Sequence, residues 1–173
     1  MIKFFLWLVT LLVACGLAAA TWMGALQPVV ITERADGPFL LVYRELGNVD
    51  LKKIDDVTTE LDNLLRDAGV EQRRPVGVFF PDDRVEIGLS VAGVTKERLE
   101  ALTGKPKVRE IATQRYMVSR FPYRNRASYL VGLIRIAPAL KKYSEAHGYR
   151  KSETLVVHDP SGIICMQAVV KGN

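Results

Sequence analysis

The sequence is short of the residues that do most enzymatic chemistry. Its 173 residues include only two histidines and two cysteines. No Cys/His/Asp cluster has the spacing of a metal site, so neither a metal nor a cofactor is expected. A Ser-His-Asp order, a nucleophile elbow and a Gly-rich phosphate loop are missing too, which removes the ordinary signatures of acyl and phosphoryl transfer. Cys15 lies in an apolar head and Cys165 in the last strand-like segment, so they should not bridge, and no disulfide framework marks a compartment. Cys165 reads as a small buried hydrophobe. Charge of one sign is not concentrated either. The net charge is +5, but Lys and Arg are interspersed with Asp and Glu, as in Lys52-Lys53-Ile54-Asp55-Asp56. The doublets Arg73-Arg74 and Lys141-Lys142 come without interleaved aromatics or helix-turn-helix spacing. They read as solvated faces, and no nucleic-acid partner is expected. A weak attraction to anionic lipid fits the composition better.

What the chain does have is a long apolar head. From Phe4 to Thr32 no residue is charged, with Lys3 before the run and Glu33 after it. Residues 4–26 meet the roughly 20 residues that one bilayer-crossing helix needs. Two other readings stay open. Ala18-Ala19-Ala20 supplies the small residues of a secretory cleavage site. Leu12-Val13-Ala14-Cys15 resembles a bacterial lipobox, although Gly16–Leu26 continues apolar with Trp22 and Met23 where a mature lipoprotein turns polar. The leading expectation is an uncleaved, single-pass N-terminal anchor and tether over residues 1–28, followed by one domain over 29–173. Lys3 and the amino terminus nearly balance Arg34 and Arg44 across the span; the orientation expected is N-terminus inside and domain outside.

The folded part reads as one unit written twice. Residues 52–93 laid over 131–172 match Leu61 to Leu140, Gly69 to Gly148, Val78 to Val157, Pro81 to Pro160, Val91 to Val170 and Gly93 to Gly172, an offset of 79. Most of these identities are punctuation: a helix end, a hairpin turn, a strand end. Phe39–Leu46 reads as a strand. A helix over about 50–68, capped by Asn48 or Asp50, carries Leu51, Ile54, Val57, Leu61, Leu64, Leu65 and Ala68 at helical spacing. Residues 75–80 and 84–92 form a hairpin, and in its second strand Val85, Ile87, Leu89 and Val91 alternate with Arg84, Glu86, Gly88 and Ser90, which predicts one wet face. A short helix over 95–102, a strand over 108–123, a long helix over 126–147 kinked at Pro138, and a hairpin over 154–171 complete the chain. Residues 27–38 read as tether and lead-in. The expected fold is α+β: a tandem strand–helix–strand–strand repeat, half-repeats 39–93 and 108–172, with pseudo-twofold symmetry and a mainly antiparallel sheet. Half-domains of this size cannot each bury a core, so they should pair about an axis with a cleft along it.

The strand aromatics are Tyr43, Phe79, Phe80, Tyr116, Phe121 and Tyr123, and several of the set should line that cleft. His158 stands at the repeat position of Phe79 and places a titratable ring where the other half has an apolar one. The doubled strand–helix–hairpin, the Gly37-Pro38-Phe39 entry and Phe121-Pro122-Tyr123 ahead of the long helix resemble the GyrI-like small-molecule-binding (effector-binding) domains. With Pro138-Ala139-Leu140, Tyr143 and the ending Leu155–Met166, the resemblance extends to a membrane-anchored subgroup similar to the animal testis-expressed endoplasmic-reticulum-phagy receptor. That resemblance implies a ligand strand carrying Glu-x-Tyr, at positions that here hold Val156 and His158, so a cation-pairing carboxylate is not expected there. The function expected is a membrane-anchored, non-catalytic binding module for a small apolar or aromatic ligand, lined by Tyr43, Phe79, Tyr116, Phe121, Tyr123, Val156 and His158. The alternatives are an interaction or scaffold protein with a collapsed cleft, and a hydrolase of the GyrI-like type. Protein partners are not legible.

Overall fold

The computed structural model describes residues 2–47, 51–102, 104 and 106–172. The expected caps Asn48 and Asp50 lie outside the described residues. The chain opens with helix α1 (Ile2–Trp22), apolar on all sides. Its stretch Lys3–Trp22 is long and apolar enough to cross a membrane, and none of it is buried against the rest of the protein. Strands β1 (Ile31–Asp36) and β2 (Phe39–Leu46) follow, then helix α2 (Leu51–Asp67) and the hairpin β3 (Arg73–Phe79) and β4 (Val85–Val91). After the short helix α3 (Lys96–Glu100), capped by Thr95, the second half repeats the order. It runs β5 (Lys107–Ile111), β6 (Gln114–Phe121), α4 (Arg126–Ala146), β7 (Thr154–Asp159) and β8 (Gly162–Ala168).

All eight strands form one curled antiparallel sheet in the order β1-β6-β8-β7-β3-β4-β2-β5. The halves meet where β3 pairs β7, and there Gly77 lies opposite Val156. Those two residues are 79 apart in sequence, so the offset read from the turns places the pseudo-twofold axis. The helix ends were also read from turn residues: Gly69 and Gly148 both take positive φ, 74° and 66°, the left-handed conformation that stops a helix.

Two expectations are corrected. Residues 27–38 are not only a lead-in, because Ile31–Asp36 is a strand and pairs β6 along its whole length. The single strand expected over 108–123 is two strands, broken at Ala112-Thr113. The reason is a strand exchange. β1 precedes β2 but pairs with β6 of the other half, and β5 precedes β6 but pairs with β2. β1 and β5 thus stand at equivalent places ahead of the two half-repeats.

Both long helices lie on one face of the sheet. α2 packs Leu61 and Leu65 over Val42, Leu89 and Val91. α4 packs Ile136 and Leu140 over Met117, Phe121, Val156, Ile163 and Cys165. Its N-terminus is closed by a capping box, in which Asn125 accepts from the Ser128 backbone and Ser128 answers to the Asn125 backbone. Pro138 lies inside α4 without ending it. The third cluster, Leu41, Val76, Val78, Tyr116, Leu155, Ile164 and Met166 among others, lies on the opposite face and crosses the axis. No described helix covers that face; the curl of the sheet buries it.

Candidate functional site on the concave face

Residues directly opposite on antiparallel strands point to the same side, and successive residues alternate. Leu41, Val76, Leu155 and Met166 therefore define the concave side, and every second residue from them shares it. By this rule Glu86, Gly88 and Ser90 of β4 point inward. They are the residues expected on a wet face, yet Glu86 is 4% exposed and Gly88 is buried. The alternation was read from the right residues, but the curl covers the polar side too. Gly88 is required there: a Cβ would sit 2.1 Å from the carbonyl oxygen of Val42.

On the axis the two halves enclose a cavity of about 80 Å³, lined by Phe39, Leu41, Val76, Leu155, Val157 and Ile164, with the Arg34–Asp36 ion pair, Arg74 and Ser90 at its rim. Further along the same face stands a charged group. Arg109 of β5 places Nη2 2.9 Å from Glu86 Oε2 and 3.6 Å from Glu153 Oε2. Its guanidinium carbon is 5.8 Å from the ring centre of Tyr43 and 5.3 Å from that of Phe80. Burial raises the carboxyl of Glu86 above its ordinary range, Arg109 opposes the rise, and Glu45 and Glu153 add to it.

The residues expected to line one cleft divide between the two faces. Tyr43 and Tyr116 lie on the concave side; Tyr116 is fully buried, and its hydroxyl accepts from Gln114. Phe79, Phe121 and Val156 lie on the helix side and belong to the core beneath α4. His158 shares that side, stacked at 5.4 Å on Tyr129 of α4, with Tyr123 edge-on at 5.8 Å. Desolvation lowers the His158 pKa and holds the ring neutral. The physical reason is parity: Val156 opposes Gly77 and His158 lies two residues on, one step out of phase with the inward Leu155 and Val157. Burial pushes the Cys165 thiol up to about 12, so it is inert.

Phe80 was among the strand aromatics read from sequence, whereas Glu86, Arg109 and Glu153 were not singled out as site residues. The signal was the charge on an otherwise apolar strand at Glu86; nothing local connects it to Arg109, 23 positions on. A second feature also escaped. Glu33 of β1, its side chain 10% exposed, pairs with Arg115 at 2.8 Å and accepts from the hydroxyls of Tyr149 at 2.9 Å and Tyr143 at 3.3 Å. Beside α4 an open groove of about 550 Å³ runs past Phe79, Phe80, Leu140, Lys141, Tyr149 and Gln167. Among the described residues no group of three or more His, Cys, Asp or Glu is placed to hold a metal ion.

Similar arrangements exist among solved structures. A structure of SAV2435 bound to tetraphenylphosphonium shares the fold with a TM-score of 0.57 at 13% identity, over 84% of this chain and 95% of that one. The C-terminal domain of EcmrR shares it with a TM-score of 0.58 at 12% identity, over 83% of this chain and 99% of that one. The fold is GyrI-like. No family model matches the sequence, and no curated protein matches it.

Proposed function

We propose that the chain is a membrane-anchored, non-catalytic module that binds a small apolar or aromatic molecule on the concave face of its GyrI-like sheet. The observation that carries this reading is the apolar cavity on the pseudo-twofold axis, lined from both halves. That SAV2435, which shares the fold, is bound to tetraphenylphosphonium supports a ligand-binding role for the fold. The outer groove beside α4 is larger and, like the axis cavity, has charged residues at its edge, here Lys141, Lys151 and Glu145. Tyr43 and Tyr116 remain candidates for ligand contact; Phe79, Phe121, Val156 and His158 act through the packing of α4. In this reading residues 1–28 are anchor and tether, 29–173 are the binding domain, and the anchor crosses the bilayer once with the domain outside. The likeness to the membrane-anchored subgroup belongs to the same proposal.

One observation favours a second reading, a scaffold with a collapsed cleft. A cavity of about 80 Å³ holds two or three waters at roughly 30 Å³ each, whereas drug-sized ligands occupy about 300–1,000 Å³. A ligand must therefore spread the sheet. The test is titration of a neutral naphthylamine dye into the full chain in non-ionic detergent. Saturable fluorescence gain, lost in Val157→Trp and kept in Ala137→Trp, is the expected result. Loss only in Ala137→Trp moves the site to the outer groove, and no binding at all leaves the scaffold reading standing.

A further inference from the structure

We propose that Arg109 is a built-in cation, filling an acid-and-aromatic cradle on the concave face and so keeping organic cations off the ligand side. The proposal rests on the reading of that face as the ligand side. β5 belongs to the second half by sequence but pairs with β2, which sets Arg109 opposite Leu41 and turns it into the curl of the first half. There it meets two carboxylates, Glu86 and Glu153, and two rings, Tyr43 and Phe80. A cation over aromatic faces beside a desolvated carboxylate is a favourable arrangement whether the cation is covalently attached or free.

The charges around the cradle leave it acidic without Arg109. Glu45 is engaged by Lys107 at 2.8 Å, and Arg84 by Asp82 at 2.8 Å. Arg84 also lies over the Phe80 ring, 4.4 Å from its centre. Among the described residues Arg109 is the one cation within ion-pair distance of Glu86, its side chain 5% exposed, or of Glu153, its side chain 21% exposed. Removing the guanidinium would leave to Glu86 only the more distant pull of Arg84 and Lys107, which are engaged by Asp82 and Glu45. A buried uncompensated carboxylate is costly and is relieved by protonation or by a cation.

The fit is that of an ion in a cage more than of a fork in a fork. Arg109 Nε and Nη2 and Glu86 Oε2 are buried without an aligned hydrogen bond. Attraction rests on charge and ring contact, which a different cation of similar size can supply. Tethering gives Arg109 the advantage. Its effective concentration in the cradle far exceeds that of a free solute, as for any linked group whose tether spans the distance. The native protein should therefore reject small organic cations and accept neutral apolar ones.

The test uses the full chain in non-ionic detergent, with ethylguanidinium and tetramethylammonium as probes and thermal unfolding and calorimetry as readouts. Arg109→Ala is expected to be destabilised, then restored saturably by millimolar ethylguanidinium, binding it about tenfold or more tighter than the unaltered chain. Adding Glu86→Gln should abolish the rescue, which a merely structural arginine would not predict. Arg109→Gln, which keeps much of the side-chain volume, serves if the alanine variant does not fold. The proposal is overturned if the unaltered chain binds either cation as tightly as the variants, if neither variant gains stability, or if neither folds even with ethylguanidinium present. The neutral dye reports separately: its failure to bind the unaltered chain counts against the ligand-side reading, whatever the cation arms show.

Discussion

The two halves share a topology and differ in what their helices present outward. α2 buries Leu61 and Leu65 and turns charged residues such as Lys53, Asp56, Glu60 and Arg66 to solvent. α4 buries Ile136 and Leu140 but leaves Ile134 73% and Leu130 49% exposed. The apolar outer face of α4 lies on the side where α1 joins the domain. Arg135 donates to the carbonyl of Gly24 at 2.9 Å, and Gly24 is packed so close to Phe121 and Pro122 that a Cβ would fall 3.0 Å from each. Against the same Phe121 ring, a Cβ on Gly132 would fall at 2.8 Å. One half therefore meets water and the other is fitted to the segment that follows α1.

The largest expected effect that sharpens this contrast is at Phe121. It ends β6 as Leu46 ends β2, yet Phe121 is buried between two glycines and Leu46 is only half-buried. Phe121→Ala should cost about 3–5 kcal/mol, read by denaturant unfolding in detergent, and should loosen Gly24 from Arg135 as seen by limited proteolysis after α1. Leu46→Ala should cost less than half as much. Equal losses would mean that the halves are packed alike.

Next in size is the clamp that holds β1. Glu33→Ala strands the hydroxyls of Tyr143 and Tyr149 and should cost about 1–3 kcal/mol. Its hydrogen bond from Tyr149, with Arg115, Tyr143 and His147 adding, holds the Glu33 carboxyl below its ordinary 4.5. A depressed carboxylate stabilises the fold above its unfolded value, and that stability is lost as pH falls through the folded value. Thermal unfolding below about pH 4.5 should therefore fall more steeply in the native chain than in Glu33→Gln. Parallel pH profiles would remove Glu33 as the fastening of β1.

The smallest effect on stability is also the most selective on location. Ile134→Glu, at an exposed position, should change stability by less than about 0.5 kcal/mol. It should still weaken the approach of α4 to anionic vesicles in a flotation assay of residues 29–173, where α1 does not hold every variant on the vesicle. Thr59→Glu on the exposed side of α2 should leave flotation unchanged. If both variants float like the parent, the apolar face of α4 does not meet lipid.

Much of the fold was legible because it is punctuated. Gly69, Gly148, Pro81, Pro160 and the helical spacing of Leu61 and Leu65 are local signals, and each marks what it appeared to mark. The exchange of β1 and β5 was not legible, since a six-residue strand carrying Glu33, Arg34 and Asp36 looks like linker until its partner, 88 positions away at Ile31–Ser119, is known. The site was legible only in part. Period-two alternation separates two faces but does not say which one a sheet will curl around. The resemblance set Val156 and His158 at the ligand-strand positions, one residue out of phase with the concave-facing Leu155 and Val157, and the alternation left Glu86 among residues that read as wet.

The exchanged strand also sets a schedule for synthesis. β1 leaves the ribosome directly behind α1, but the residues that pair with it begin at Gln114, 78 positions after Asp36. At about 5–20 residues per second that interval lasts roughly 4–16 s. Throughout it a bare strand edge lies next to the apolar α1, free to meet the edges of other nascent chains. Glu33, Arg34 and Asp36 stand on that strand. The same side chains that made it look like linker are the charges that discourage a stray edge from pairing with the wrong chain.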